Sequence, residues 1–321
     1  MADDFQPRTV AVIGAGAVGG YYGARLAQAG HDVRFLMRRD YDAVASSGLR
    51  IESVDGDFAL NSPSIARSSE QIGPVDWVIC ALKATSIDDA RALVAPCVGE
   101  GTQILVLMNG IGLEERFAQW FGSERVFGGL AFTCINRREP GAIHHIDYGP
   151  VTIAHLGDNE PRVVAAASLW DGAQVEVSTS PSLRRSRWEK LCWNIPFNGL
   201  AVTCGGITTD VILADPELRE AVRGLIREVV AAGNADIAAH DGDAAGDPID
   251  GAAMAENMIT ATDAMAAYRP STMIDFVEGR AMEVEAIFGA PLQRAQELGV
   301  ATPLIATLTG QMRALNRGTD R

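Results

Sequence analysis

Cysteine is scarce in this chain of 321 residues, and the five present (Cys80, Cys97, Cys134, Cys192, Cys204) are odd in number and form no CxxC pair. A disulfide framework or a cysteine-rich metal site is therefore not expected, and the thiols should be reduced and mostly buried. Positive charge is also in short supply: 27 Lys and Arg stand against 41 Asp and Glu, giving a net charge of −14 and a pI near 4.8. That balance excludes bulk affinity for nucleic acid or an anionic membrane, while leaving room for a local basic pocket that takes a phosphate. No long apolar run is present. The longest uncharged stretch, Leu191 to Thr209, contains Pro196, Asn194, Asn198 and three glycines, which is wrong for a membrane span. The opening Met-Ala-Asp-Asp-Phe is acidic and lacks the basic and apolar regions of a secretory leader, so the cytoplasm is the expected location. His144-His145 has no second cluster of ligands to work with, so no metal centre is expected.

What is present is apolar residue, 47% of a chain long enough for two domains of ordinary size. Thr9-Val-Ala-Val-Ile13 is a β-rich run leading into Gly14-Ala15-Gly16-Ala17-Val18-Gly19, and a helical pattern from Tyr21 to Ala29 follows, stopped by Gly30. Strand, GxGxxG and helix in that order form a dinucleotide fingerprint. Gly14 permits the tight turn, Gly16 lets a pyrophosphate approach the backbone, and Gly19 lets the helix pack closely. The alternative is a glycine-rich turn with no ligand. A second strand, Asp32 to Met37, ends at Arg38-Arg39, where an NAD protein offers an acid to the ribose hydroxyls. Guanidinium there suits a 2′-phosphate, hence NADP(H); the bland alternative is a pair of surface arginines beside Asp40 and Asp42.

Two more apolar runs, Trp77 to Leu82 and Ile104 to Met108, stop at Lys83 and at Asn109-Gly110. Gly14, Arg38, Lys83 and Asn109 thus each follow a predicted strand, on the edge of a parallel sheet where ligands bind. Helices are expected over Ile87 to Val94 and Leu113 to Trp120. Shorter strands follow at Val126 to Cys134, Ala142 to Ile146, Val151 to Ala154 and Val175 to Val177, as antiparallel additions at the sheet edge.

From about Arg185 every pattern is helical: Asp215-Pro216 opens a helix running to Gly233, and others cover Met254 to Tyr268, Thr272 to Phe288 in one or two pieces, Leu292 to Leu298 and Pro303 to Leu315. The fold class is α/β: a Rossmann-type doubly wound domain with antiparallel edge additions (residues 1–184), then an all-helical substrate and dimerisation domain (185–321), with a substrate cleft between. The helical half opens on Trp188-Glu-Lys-Leu-Cys-Trp-Asn-Ile-Pro-Phe-Asn198. As a helix, it sets Lys190, Asn194 and Asn198 at spacing four, in one quadrant. Pro196 would kink it and deprive the Cys192 carbonyl of its donor. The three polar residues either face a ligand or cap neighbouring elements of a core. Glu283, alone on its helix, would by itself be solvated.

A nicotinamide dinucleotide carries hydride, and the protein must orient a ketone and deliver one proton, for which the Lys190 ammonium is the natural acid. The glycine turn, the basic residue after the second strand, Leu-Lys83, Asn109-Gly110, Trp-Glu-Lys190 with Asn194 and Asn198, Pro-Ser271, Gly-Arg280 and Glu283-Val-Glu together resemble the ketopantoate reductase family over nearly the whole chain. That family reduces 2-dehydropantoate to pantoate with NADPH, on the route to pantothenate and coenzyme A. The resemblance implies Lys190 as proton donor and Glu283 as organiser of the active site and cofactor. It also implies that Asn109, Asn194, Asn198 and Ser271 contact a small 2-keto acid and that Lys83, Arg38 and Asn109 contact the cofactor. A homodimer is an expectation from architecture alone, since a helical second domain often supplies a dimer surface. One departure stands out: Tyr268 occupies the place, three residues before the serine, where the family carries Asn. A reductase of another 2-keto acid is therefore the alternative, and a non-catalytic NADP(H) sensor the third possibility.

Overall fold

The computed structural model describes residues 6–241 and 246–317, and within them the chain divides into two compact units. The first comprises Met1–Met108 and Leu113–Leu183, the second Asn109–Gly112 and Arg184–Arg321. Ten strands occupy the first unit: β1 (Thr9–Ile13), β2 (Asp32–Leu36), β3 (Leu49–Ser53), β4 (Phe58–Leu60), β5 (Ser64–Ala66), β6 (Val75–Cys80), β7 (Val98–Val106), β8 (Val126–Glu139), β9 (Ala142–His155) and β10 (Val177–Thr179). They form one sheet in the order β4-β3-β9-β8-β7-β6-β1-β2-β5, with β10 paired to β9.

The segment β7-β6-β1-β2-β5 is parallel throughout. Its strands are buried on both faces, which is why β1 reads as an unbroken apolar run: Val10, Ala11, Val12 and Ile13 have no exposure. β1 pairs with β2 on one side and β6 on the other, so the strand order reverses about β1. In an open α/β sheet a ligand settles at that reversal, beyond the carboxyl ends of the strands.

The part expected to be antiparallel departs from expectation in three ways, the first in direction: β8–β9 and β3–β4 are antiparallel, but β8 runs parallel to β7 and β10 parallel to β9. Ala142 to Ile146 and Val151 to Ala154 are one strand, β9, and not two. Gly149-Pro150 does not turn the chain; it is absorbed where the β8–β9 register slips between Thr133↔Tyr148 and Ala131↔Val151. Proline has no N–H for the ladder and is tolerated at such an irregularity. Nor is the β8–β9 pair the edge of the sheet, because β3 lies parallel to β9 and β4 continues outward. Leu49-Arg-Ile-Glu-Ser53 does alternate, with Leu49 and Ile51 buried and Arg50 and Glu52 exposed, a period-two signal available in the sequence.

In the second unit Asp215 caps the helix Pro216–Asp241, accepting from the Leu218 N–H at 2.9 Å, and the helix runs eight residues past Gly233. Asp250 caps Gly251–Asp263 in the same way. The helices surround a separate apolar core containing Trp188, Phe197, Ile226, Val229, Phe288 and Met312. Among the described residues no helix is long and apolar enough to cross a membrane. Cys80, Cys97 and Cys192 are buried, whereas Cys204 is exposed. Burial pushes the Cys80 thiol up to about 12, where it is inert at neutral pH.

Candidate active site

In the first unit, β1 delivers the chain into Gly14, whose φ of +95° is a left-handed conformation natural to glycine. A Cβ there would also lie 2.6 Å from the Leu82 backbone nitrogen, so the turn is pressed against the end of β6. Gly16 differs. A Cβ on it would meet nothing within 4 Å, so its backbone borders open space at the start of the helix Ala17–Gln28. Free N–H groups at a helix start favour an anion there. A Cβ on Gly19 would strike the Gly14 carbonyl, so this glycine acts through close packing.

This turn borders a cavity of about 570 Å³ lined by Gly14, Ala15 and Gly16, by Arg38, Arg39 and Asp40 after β2, by Lys83, Thr85 and Ser86 after β6, and by Arg137. Ala17, Val18 and Gly19 belong to the first helical turn and do not line it. Four cations therefore share the cavity with one carboxylate, in a chain of strongly negative total charge. An open glycine backbone, a helix start and convergent cations fit the phosphates of a dinucleotide. Arg137 carries no signal in the sequence: it lies on β8, ninety-seven residues from the Asp40 that it bonds.

In the second unit, the helix Leu183–Trp193 passes into a π turn, Asn194–Asn198, before Gly199–Thr203 resumes the α form. The kink expected at Pro196 is thus a widened turn, a known way for a helix to absorb a missing N–H. Asn198, 2% exposed, secures it by donating from Nδ2 to the Asn194 carbonyl at 3.0 Å. Its Oδ1 accepts from the Thr272 N–H at 3.0 Å, at the start of the helix Ser271–Val277, whose cap position is Pro270 with no polar side chain. Asn198 therefore holds Ser271 in place. Lys190 is half-buried and Asn194 buried on the same segment.

Ser271–Val277 ends before Gly279, and the chain restarts its helix only at Val284. Glu283 consequently sits at a helix start and not in a helix interior, and it is 8% exposed. Solvation, the ordinary expectation for a lone glutamate, does not apply, and a helix start favours its charge. Directly after it comes a second π turn, Glu285–Gly289. In i→i+5 bonding the Ala286 carbonyl would look to residue 291, which is Pro291 and has no N–H. The Ile111 N–H takes that carbonyl instead, at 3.2 Å. Gly110, with φ +106°, lies so close that a Cβ would come within 2.5 Å of the same oxygen. Asn109, half-buried, is the residue just before this contact and belongs to the second unit.

Comparison with known proteins agrees along the chain. Residues 10–158 match the family model "Ketopantoate reductase PanE/ApbA", and residues 182–316 match its C-terminal companion. A 2-dehydropantoate 2-reductase of Nostoc sp. is 38% identical over 315 residues, covering 96% of this chain and 95% of the relative. The crystal structure of a 2-dehydropantoate 2-reductase from Geobacter metallireducens superposes with a TM-score of 0.90 at 41% identity, covering 95% of this chain and 99% of that one. D-mandelate dehydrogenase, solved with NADH and anilino(oxo)acetate, has the same fold at 21% identity and a TM-score of 0.86, covering 97% and 99%. With both units matched in order, this chain belongs to the ketopantoate reductase family.

Proposed function

We propose that this protein is an oxidoreductase that reduces 2-dehydropantoate to pantoate with NADPH, in the cytoplasm, on the route to pantothenate and coenzyme A. The cationic cavity at the glycine turn carries the cofactor half of this assignment, in a chain of this family. Bound there, NADPH supplies the hydride. Gly14, Ala15 and Gly16 with the following helix start bind its pyrophosphate, and Arg38 and Lys83 hold its remaining phosphate and ribose. Lys190 gives the proton that the carbonyl oxygen gains as the ketone becomes an alcohol, and its charge stabilises that oxygen as it turns negative. Asn109, Asn194, Asn198 and Ser271 orient the keto acid, and Glu283 organises the site around them. The direct test is loss of NADPH absorbance on adding 2-dehydropantoate; NADPH binding without oxidation across a panel of 2-keto acids would point to a sensor instead.

Tyr268 supports a second reading. Its ring lies edge-on to Trp193 at 5.7 Å, and its carbonyl accepts from the Thr209 N–H at 3.1 Å, so it is fixed beside the helix that carries Lys190. An aromatic ring there in place of a carboxamide suits a less hydroxylated 2-keto acid. Steady-state comparison decides: a clearly higher kcat/KM for a simpler 2-keto acid would displace 2-dehydropantoate as the substrate.

The NADP preference has its own check. Arg38→Asp should weaken NADPH binding by roughly tenfold or more and leave NADH nearly unchanged, since a carboxylate repels a 2′-phosphate but accepts a ribose hydroxyl. Equal losses for both nucleotides would remove Arg38 from the 2′-phosphate.

A further inference from the structure

We infer that the Arg137–Asp40 pair is a second determinant of cofactor choice, acting with Arg38; this rests on the NADPH assignment above. Asp40 follows the end of β2, lines the cavity and is 8% exposed. An acid soon after the second strand is what dinucleotide folds offer to the hydroxyls of NAD, and it repels the extra phosphate of NADP. Left alone, Asp40 would work against Arg38.

It is not left alone. Arg137 Nη1 donates to Asp40 Oδ1 at 3.0 Å, from near the far end of β8. Arg137 itself lines the cavity. A guanidinium has five N–H donors, so one that engages Asp40 retains others for an anion. The pair therefore does two things: it offsets the charge of the carboxylate that would reject a 2′-phosphate, and it adds a cation to the cavity lining that also holds Arg38 and Arg39. A purely mechanical role, tying the end of β8 to the β2 connection, is the competing explanation. With side chains 38% and 10% exposed, such an ion pair contributes little to stability. A mechanical tie would also affect NADPH and NADH alike.

Binding of each nucleotide to the full chain, followed by quenching of tryptophan fluorescence, separates the cases. The wild type should prefer NADPH. Arg137→Met should weaken NADPH about tenfold and NADH less than about twofold, through loss of a charge-assisted contact and exposure of the Asp40 charge. Arg137→Lys, which keeps the charge, should retain most of the affinity. Adding Asp40→Asn to Arg137→Met should recover part of the NADPH affinity, because the repelling charge is gone. Equal weakening of both nucleotides, no weakening, or no recovery in the double variant would overturn the inference while leaving the NADPH assignment standing. A wild type that binds both nucleotides equally would overturn that assignment, and the inference with it.

Discussion

Replacing Lys190 with alanine is expected to slow turnover by roughly 10²–10⁴-fold, the usual contribution of a positioned general acid, while NADPH affinity stays within about threefold. The split follows from where the residues lie. The glycine turn, Arg38 and Lys83 line a cavity in the first unit, whereas Lys190 belongs to the second, on a helix anchored by its own core. Loss of the ammonium removes the proton donor and the charge that stabilises the oxygen during hydride transfer, but none of the cavity lining. Single-turnover measurement with NADPH and 2-dehydropantoate would read the chemical step directly. Arg in place of Lys should restore charge without an efficient acid, because a guanidinium does not give up its proton in a protein. Near-normal turnover in the alanine variant would take Lys190 out of the acid role.

The largest effect on stability is expected at Asp236. Its carboxylate is 1% exposed and its Oδ2 accepts from Trp188 Nε1 at 2.8 Å, from Arg184 Nη1 at 3.1 Å and from Arg294 Nη1 at 3.1 Å. His240 Nδ1 lies 3.2 Å from Oδ1. Three helices are thereby joined at one side chain, whose partner Trp188 lies two residues before Lys190. Asp236→Ala strips the shared acceptor from a buried indole and two largely buried guanidiniums, which should cost about 3–5 kcal/mol. Chemical denaturation at neutral pH would measure it. Desolvation raises the Asp236 pKa, but the Trp188 hydrogen bond and the Arg294 and Arg184 charges outweigh it and hold the carboxyl below the usual range. With the folded value depressed, the stabilisation is fully present above the ordinary carboxylate pKa of about 4 and is lost as pH falls through the folded value. The stability gap between wild type and Asp236→Asn should therefore narrow below about pH 4. A gap that is constant through acid would mean that burial and shape, and not charge, hold this cluster together.

Strand ends and caps were legible because their causes are local. A strand buried on both faces must be apolar along its length, so β1 announces itself and stops where Gly14 follows, while β2, β6 and β7 end in apolar runs that continue past the strand by Met37, by Ala81 and Leu82, and by Leu107 and Met108 before a polar residue is reached. Asp215 before Pro216 marks a helix start whatever the rest of the molecule does. Proline signals were real but ambiguous in outcome. Pro196 and Pro291 each remove one donor, and only the surroundings decide whether a helix kinks, stops or widens; here Ile111 supplies the hydrogen that Pro291 cannot, and Asn198 satisfies the Asn194 carbonyl within the first π turn. At Gly149-Pro150 the local signal for a turn lost to pairing with β8.

From the chain alone came the two-part plan, the glycine turn with its cations at strand ends, and the shared face of Lys190, Asn194 and Asn198, all set by periodicity and by spacing within a few residues; that these serve a reductase came from the family resemblance. Only the folded molecule placed Arg137 against Asp40, Arg294 and Arg184 on Asp236, Asn198 under the Ser271 helix and Gly110 on Ala286. Those partners lie dozens of residues apart. A hydrogen bond or ion pair acts over a few ångströms, and which distant side chains come that close is decided by how whole elements pack.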